Sequence, residues 1–157
     1  MSLERSWHER QLLEDLQQEI ARGNVELIED SLPFFERLLA AFPFDSGRLT
    51  WETVPGRLHL VAPPERAGES FQLSEPATEL RTFWARVRHE SRIDDDMAVL
   101  VLGDTLVSFV LKMSVRSLTG HLVDVLSLPQ NTYIFPEDLS WCFNYTVQDD
   151  AFFGSRQ

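Results

Sequence analysis

The sequence predicts an α+β domain with an antiparallel sheet, in which two N-terminal helices precede β-hairpins that alternate with two further helices. Apolar residues recur at helical spacing in the N-terminal third, whereas the C-terminal third consists of short β-prone runs separated by turn residues. No internal repeat or low-complexity segment interrupts the 157 residues. A chain of this length is typical of one domain, so we expect a single domain over residues 1–157.

Two helices are predicted before Pro43. The first helix ends at Gly23, a residue type that commonly stops helices, and its apolar stripe consists of Leu3, Trp7, Leu12, Leu13, Leu16 and Ile20. The same spacing continues from Val25 to Phe42 as a second helix. Pro33 removes a backbone donor within that range, so we expect a kink or a new start near Ser31.

The middle of the chain predicts a hairpin, a loop and a helix. Two β-prone runs, Leu49–Thr53 and Leu58–Val61, flank a Pro-Gly turn and are expected to pair with each other. The stretch "APPERAGES" at residues 62–70 has no periodicity and is predicted to be an exposed loop. Ser74 is a suitable N-cap for a helix that extends to about His89.

The second half of the chain is predicted to contain five strands and one helix. Met97 to Met113 are expected to form a buried hairpin with a two-residue turn at Gly103-Asp104. Helical spacing returns from Val115 to Leu126. The last strands are predicted at Tyr133–Phe135, Trp141–Thr146 and around Phe152, with turns at "PED" and "QDD".

The composition is strongly acidic, with a formal net charge of −11 and an isoelectric point near 4.7. Phosphate backbones and anionic membranes carry charge of the same sign, so neither nucleic acid nor a membrane is an expected partner. A basic protein or a cationic ligand is complementary, although acidity also serves solubility alone. No basic and apolar leader follows Met1, and the apolar run Met97–Met113 is too short to cross a bilayer, so we expect a cytoplasmic protein.

No catalytic or metal-binding motif is complete. "HERQL" and "HESRI" begin like the helix of a zinc protease, but Leu12 and Ile93 occupy the position of the second histidine ligand. Asp94–Asp96 lack the alternating ligands of a calcium loop, and neither a phosphate-binding loop nor a nucleophile elbow occurs. Cys142, the only cysteine, is expected to be a packed residue, with a nucleophile assisted by His121 as the alternative. We therefore expect no enzyme activity, no metal and no cofactor.

Two acidic turns flank the strand Trp141–Thr146. Glu137 and Asp138 precede it, and Asp149 and Asp150 follow it. A strand of this length separates the two pairs by roughly 20 Å, which is too far for an acid and base couple of the glycosidase kind. Strand alternation divides the side chains between two faces, with Trp141, Phe143 and Tyr145 on one and Cys142, Asn144 and Thr146 on the other.

The segment "TYIFPEDLSWCFNYTVQDDAFFG", Thr132 to Gly154, resembles the C-terminal segment of immunity proteins from bacterial polymorphic toxin and contact-dependent inhibition systems. Small bacterial proteins of unknown function have a similar segment. The shared order is an aromatic strand, a Pro and acidic turn, a Trp-containing strand, an acidic turn and a final aromatic-Gly pair. The resemblance implies a cytoplasmic protein that binds and neutralises a cognate toxin domain, with no catalysis of its own.

The resemblance also implies which residues contact the partner. These are Glu137, Asp138, Asp149, Asp150 and Trp141. The four acids would complement the toxin, because many such toxins attack nucleic acids through basic sites. A purely structural interpretation assigns the acids to turn capping and Trp141 to the inner face of a sheet. Two alternative functions are a chaperone or adaptor for a secreted protein and a small cysteine- or histidine-dependent enzyme.

Overall fold

A computed structural model of the chain describes residues 5–60, 76–104, 107–128 and 130–156, and one antiparallel sheet dominates it. The strands are Val25–Ile28 (β1), Phe44–Asp45 (β2), Arg48–Leu49 (β3), Leu58–Leu60 (β4), Ala98–Gly103 (β5), Val110–Ser114 (β6), Thr132–Pro136 (β7), Trp141–Tyr145 (β8) and Ala151–Ser155 (β9). The helices are Trp7–Asp15 (α1), Gln17–Ala21 (α2), Leu32–Ala41 (α3), Pro76–Glu90 (α4), Val115–Gly120 (α5) and Leu122–Leu126 (α6), and a 3₁₀ turn covers Trp51–Thr53. The predicted α+β class is confirmed.

Seven strands pair antiparallel in the order β1-β6-β5-β7-β8-β9-β4, and β2 pairs with β3 in a separate hairpin. Side chains alternate between two buried faces, so that Val99 and Val101 enter one core cluster and Leu100 and Leu102 enter the other. We name each face after the elements that cover it. The helical face packs against α1, α4, α5 and α6, and the hairpin face packs against α3, the β2–β3 hairpin and the 3₁₀ turn.

The N-terminal region contains the first difference from the predicted fold. The predicted first helix is present as α1 and α2, and α1 begins at a capping box between Ser6 and Glu9. The predicted second helix is wrong in its first part, because Val25–Ile28 form β1 and pair with β6 at the sheet edge. Periodicity does not distinguish a short apolar strand from a helix. Helix α3 begins after Ser31 with Pro33 in its first turn, at the new start that the proline predicts.

The predicted hairpin between Leu49–Thr53 and Leu58–Val61 is wrong in its pairing. β3 pairs with β2, and β4 pairs with β9 at the other edge of the sheet. Trp51 explains the difference, because its side chain is buried and its Nε1 donates a hydrogen bond to Asn144 of β8, which fixes this segment across the sheet. The predicted loop at residues 62–70 lies outside the described residues, whereas the helix predicted after it is confirmed as α4.

The second half of the chain follows the predicted order with two local differences. β5 and β6 pair as predicted, but Gly103 belongs to β5 and β6 begins at Val110, so Gly103-Asp104 does not form a two-residue turn between them. Gly103 lies against Gln130, whose side chain occupies the space of a Cβ, so the glycine permits a close approach instead of a turn. The helix predicted over residues 115–126 is broken at His121 into α5 and α6. The three C-terminal strands are confirmed as β7, β8 and β9.

Candidate functional site: a cleft at the β8–β9 end of the sheet

The two acidic turns lie at opposite ends of β8, as strand geometry predicts. Glu137 and Asp138 lie between β7 and β8, and Asp149 and Asp150 lie between β8 and β9. Because β8 pairs antiparallel with both neighbours, each turn is at a different end of the sheet. The four acids therefore do not form one site.

Basic groups of the same chain lie beside the β7–β8 turn. The Lys112 Nζ is 2.5 Å from the Glu137 Oε1 and the pairing raises the lysine pKa. The hydroxyl and the backbone N–H of Ser140 donate to the Asp138 carboxylate and lower its pKa, and the charge of Arg156 acts in the same direction. The carboxylates at this end are thus matched by donors and cations within the molecule.

The β8–β9 turn borders an open cleft. Asp149 has a left-handed φ of 67°, and its carboxylate accepts a hydrogen bond from the Tyr145 hydroxyl at 3.3 Å. The Thr146 Oγ1 accepts from the backbone N–H of Asp150 at 3.1 Å, which closes the turn. The Asp150 side chain then lines a cavity of about 350 Å³ on the hairpin face.

Two rows of side chains form the floor of this cleft, the first on neighbouring strands and the second just beyond the strand ends. The register of β7, β8, β9 and β4 aligns Tyr133, Asn144, Phe152 and His59 in the first row. The second row lies nearer the turn, one residue beyond β7, β8 and β9, and consists of Asn131, Thr146 and Asp150. All of these side chains line the cavity.

The 3₁₀ turn forms the roof, and Trp51 fixes it to the floor. The Trp51 Nε1 donates to the Asn144 Oδ1 at 3.0 Å, and the Asn144 Nδ2 donates to the Thr132 carbonyl at 3.1 Å. Asn144 is only 3% exposed, so these two bonds satisfy a buried amide that would otherwise destabilise the core. The rings of Trp51 and His59 both stack on Phe152, with ring centroids 5.4 and 4.0 Å from it.

A second cavity of about 420 Å³ adjoins the first and shares Arg48, Asn131 and Val147 with it. Asn131 holds the wall between them. Its backbone N–H and its Nδ2 donate to the Asp104 carboxylate at 3.1 and 2.8 Å, and its Oδ1 accepts from the Val147 N–H at 3.2 Å. These bonds tie the end of β5 to the β8–β9 turn, so contacts within the chain fix this wall of the cleft.

Tyr133 brings a hydroxyl to the β7 side of the cleft. Burial raises the pKa of its phenol well above the usual value, and the charge of Asp104 adds to this increase. The charge of Arg48 lowers the pKa of this phenol. The Tyr133 hydroxyl therefore stays protonated at neutral pH, and a hydrogen bond with the Leu49 backbone holds it beside the β2–β3 hairpin.

Trp141, to which the resemblance assigns partner contact, lies in the core. It is 5% exposed, and its ring packs against Trp84 and Phe153 on the helical face, with centroid separations of 6.4 and 5.5 Å. The predicted alternation along β8 is confirmed, and it directs this side chain into the core. Partner contact by Trp141 and by the four turn acids stays a prediction, and of these residues Asp150 lines the cleft.

Cys142 is a packed residue, as predicted. It is fully buried in the cluster under the hairpin face, and burial raises the pKa of its thiol. His121, the base considered for it, lies between α5 and α6 on the helical face, where its Nδ1 is 3.4 Å from the Asp124 Oδ2. The sheet separates the two side chains, so they do not form a nucleophile and base pair.

Comparison with known proteins assigns no family: the chain matches no protein-family model and no curated protein. Within residues 5–60, 76–104, 107–128 and 130–156, no three His, Cys, Asp or Glu side chains are grouped so that they could hold a metal ion. The helices in these ranges also lack the length and apolar character of a membrane span.

Sequence reasoning missed the cleft, apart from Asp150. Its floor depends on the register of β4 against β9, which brings His59 beside Phe152. One signal is present in the sequence: Asn144 interrupts the apolar strand Trp141–Tyr145. A buried amide needs hydrogen-bond partners, so an asparagine at this position indicates a specific polar contact.

Proposed function

We propose that the protein is a non-catalytic, acidic binding protein that receives a basic protein partner at the β8–β9 end of its sheet. The cleft at that end carries this proposal, because Glu52 and Asp150 line it together with aromatic and amide side chains. Asp104 adds a carboxylate in the adjoining cavity, and Arg48 lines both cavities. Among the described residues that line them, carboxylates outnumber Lys and Arg side chains, and such a lining in a chain of net charge −11 attracts positive charge.

The specific role that we propose is immunity, in which the protein neutralises a cognate bacterial toxin domain by covering its basic site. The resemblance of Thr132–Gly154 to immunity proteins supports this role. The strands within that segment, β7, β8 and most of β9, also contribute the floor of the cleft. The resemblance and the cleft thus concern the same part of the fold.

Protection of cells tests this role. A host that expresses a toxin domain encoded beside this gene should survive only when the protein is co-expressed. The two purified proteins should associate at a rate that falls as salt is added, because charge complementarity acts mainly on encounter. Growth arrest in the presence of folded protein, together with no detectable association, would contradict the immunity role.

Paired variants locate the interface. Asp149→Asn with Asp150→Asn removes two charges from the cleft end, and Glu137→Gln with Asp138→Asn removes two from the other end. Asparagine tolerates the left-handed φ of Asp149, so the turn should keep its shape. At low salt we expect the first pair to slow association by about tenfold and the second pair by less than about twofold. Equal slowing by the two pairs, measured by stopped-flow fluorescence, would place the interface elsewhere.

A further inference from the structure

The side of the cleft near β9 and β4 differs in chemistry from the side near β7. We propose that the β9–β4 side receives a guanidinium group, supplied by an arginine side chain of the partner, between the His59 ring and the carboxylates of Glu52 and Asp150. This inference rests on the proposed function, since it names the group of the basic partner that the cleft takes.

Aromatic rings provide a stacking surface on this side. The Phe152 ring is nearly parallel to the rings of Trp51 and His59, with interplanar angles of 5° and 14°. Trp51 is buried, whereas His59 is exposed and lines the cavity, so the face of its ring turned away from Phe152 is the one available to a guest. A guanidinium is planar and weakly hydrated, and it stacks on aromatic rings better than a compact ammonium group does.

Two carboxylates line the same cavity from the roof and from the floor. Glu52 follows Trp51 in the 3₁₀ turn and is exposed. Asp150 precedes Phe152 by two residues and is on the same face of the sheet. Carboxylates accept paired hydrogen bonds from the fixed fork of a guanidinium, which gives geometric selectivity as well as attraction.

Among the described residues, the β7 side pairs its carboxylate with opposing groups. Asp104 and Arg48 line the adjoining cavity together, and the Asp104 carboxylate accepts two hydrogen bonds from Asn131. Arg48 would also repel a second guanidinium. A cationic guest is therefore directed toward the β9–β4 side.

The site needs little rearrangement to bind. Asn144 joins Trp51 in the roof to the backbone of β7, and Asn131 joins the end of β5 to the β8–β9 turn. The floor and the roof are thus held in place before a guest arrives. Preorganisation of this kind lowers the ordering cost of binding, so even a small guanidinium compound should be detected at high concentration.

Titration with small amides tests the inference without any toxin. The probes are Nα-acetyl-arginine amide, the uncharged Nα-acetyl-citrulline amide of nearly the same shape, and Nα-acetyl-lysine amide. The reporter is the indole N–H resonance of Trp51, identified among the four tryptophans with a Trp51→Phe variant. We expect a saturable shift with the arginine probe and about tenfold weaker binding of the other two.

Variants distinguish binding of the arginine probe at this site from general attraction of a cation to an acidic protein. Glu52→Gln with Asp150→Asn should abolish the response to the arginine probe, whereas Glu137→Gln with Asp138→Asn should leave it unchanged. Equal responses to arginine and citrulline would overturn the inference. A response to inorganic phosphate that Arg48→Gln removes would also overturn it, because the cleft would then be an anion site. Toxin neutralisation without an arginine response would leave the proposed function standing and refute only this inference.

Discussion

The β7–β8 and β8–β9 turns have similar sequences, a pair of acids between two antiparallel strands, yet the fold surrounds them differently. At the β7–β8 turn, Lys112 of β6 pairs with the Glu137 carboxylate, and Arg37 of α3 donates to the Glu137 carbonyl at 2.7 Å. At the β8–β9 turn, the elements above the sheet leave a cavity beside Asp150. Groups of the same chain oppose the acids of the first turn, and the second turn borders the cleft.

The roof over the hairpin face produces this difference. Gly154 lies on the same face of β9 as Phe152 but nearer the β7–β8 end, and there the roof touches the sheet. A Cβ at Gly154 would lie 2.7 Å from the Val54 Cγ1 and 2.8 Å from the Trp51 Cζ3. At Phe152 the roof instead rests on an aromatic ring, because Trp51 stacks on it with ring centroids 5.4 Å apart. The elements that cover a turn, and not the spacing of its acids, therefore decide whether a carboxylate lines a cleft.

The largest effect is expected where the roof is fixed to the floor. Asn144→Leu leaves the buried Trp51 Nε1 without a partner and removes the side-chain bond to the Thr132 carbonyl, so we expect the free energy of unfolding to fall by about 3 kcal/mol. Cys142→Ala, on the same strand and face, removes packing alone and should cost less than about 1.5 kcal/mol. Denaturant unfolding measures both. Equal losses would mean that the Asn144 amide acts by packing and that the roof is not fixed through it.

A smaller effect is expected at the point where roof and sheet touch. Gly154→Ala forces Trp51 and Val54 outward and should lower the free energy of unfolding by about 2 kcal/mol, with a shifted Trp51 indole resonance. Gly120→Ala is the matched control, since nothing lies within 4 Å of its added Cβ and the residue is helical. That variant should be neutral or slightly stabilising. An unperturbed Trp51 resonance in Gly154→Ala would refute the close contact that closes the cleft at this end.

Local sequence predicts the acidic turns well and the cleft poorly, for a physical reason. Alternation in Trp141–Tyr145 and the turn residues on either side of it are local signals, so β7, β8 and β9 are predicted correctly. β1 and β4 are short, and the strands that pair with them, β6 and β9, are distant in sequence. Val25–Ile28 are accordingly mistaken for helix. His59 reaches the cleft only through the pairing of β4 with β9, which no local pattern indicates.

The smallest effect is expected from the ion pair that neutralises the β7–β8 turn. The side chains of Lys112 and Glu137 are 37% and 55% exposed, so water screens their attraction. A double-mutant cycle with Lys112→Met, Glu137→Gln and the double variant separates this coupling from the loss of each side chain. We expect the coupling to change the melting temperature by at most about 2 °C and to shrink as salt is added. A larger coupling that salt does not reduce would show that the pair stabilises the fold as a buried contact does. Screened surface neutralisation would then not be what distinguishes the β7–β8 turn from the β8–β9 turn.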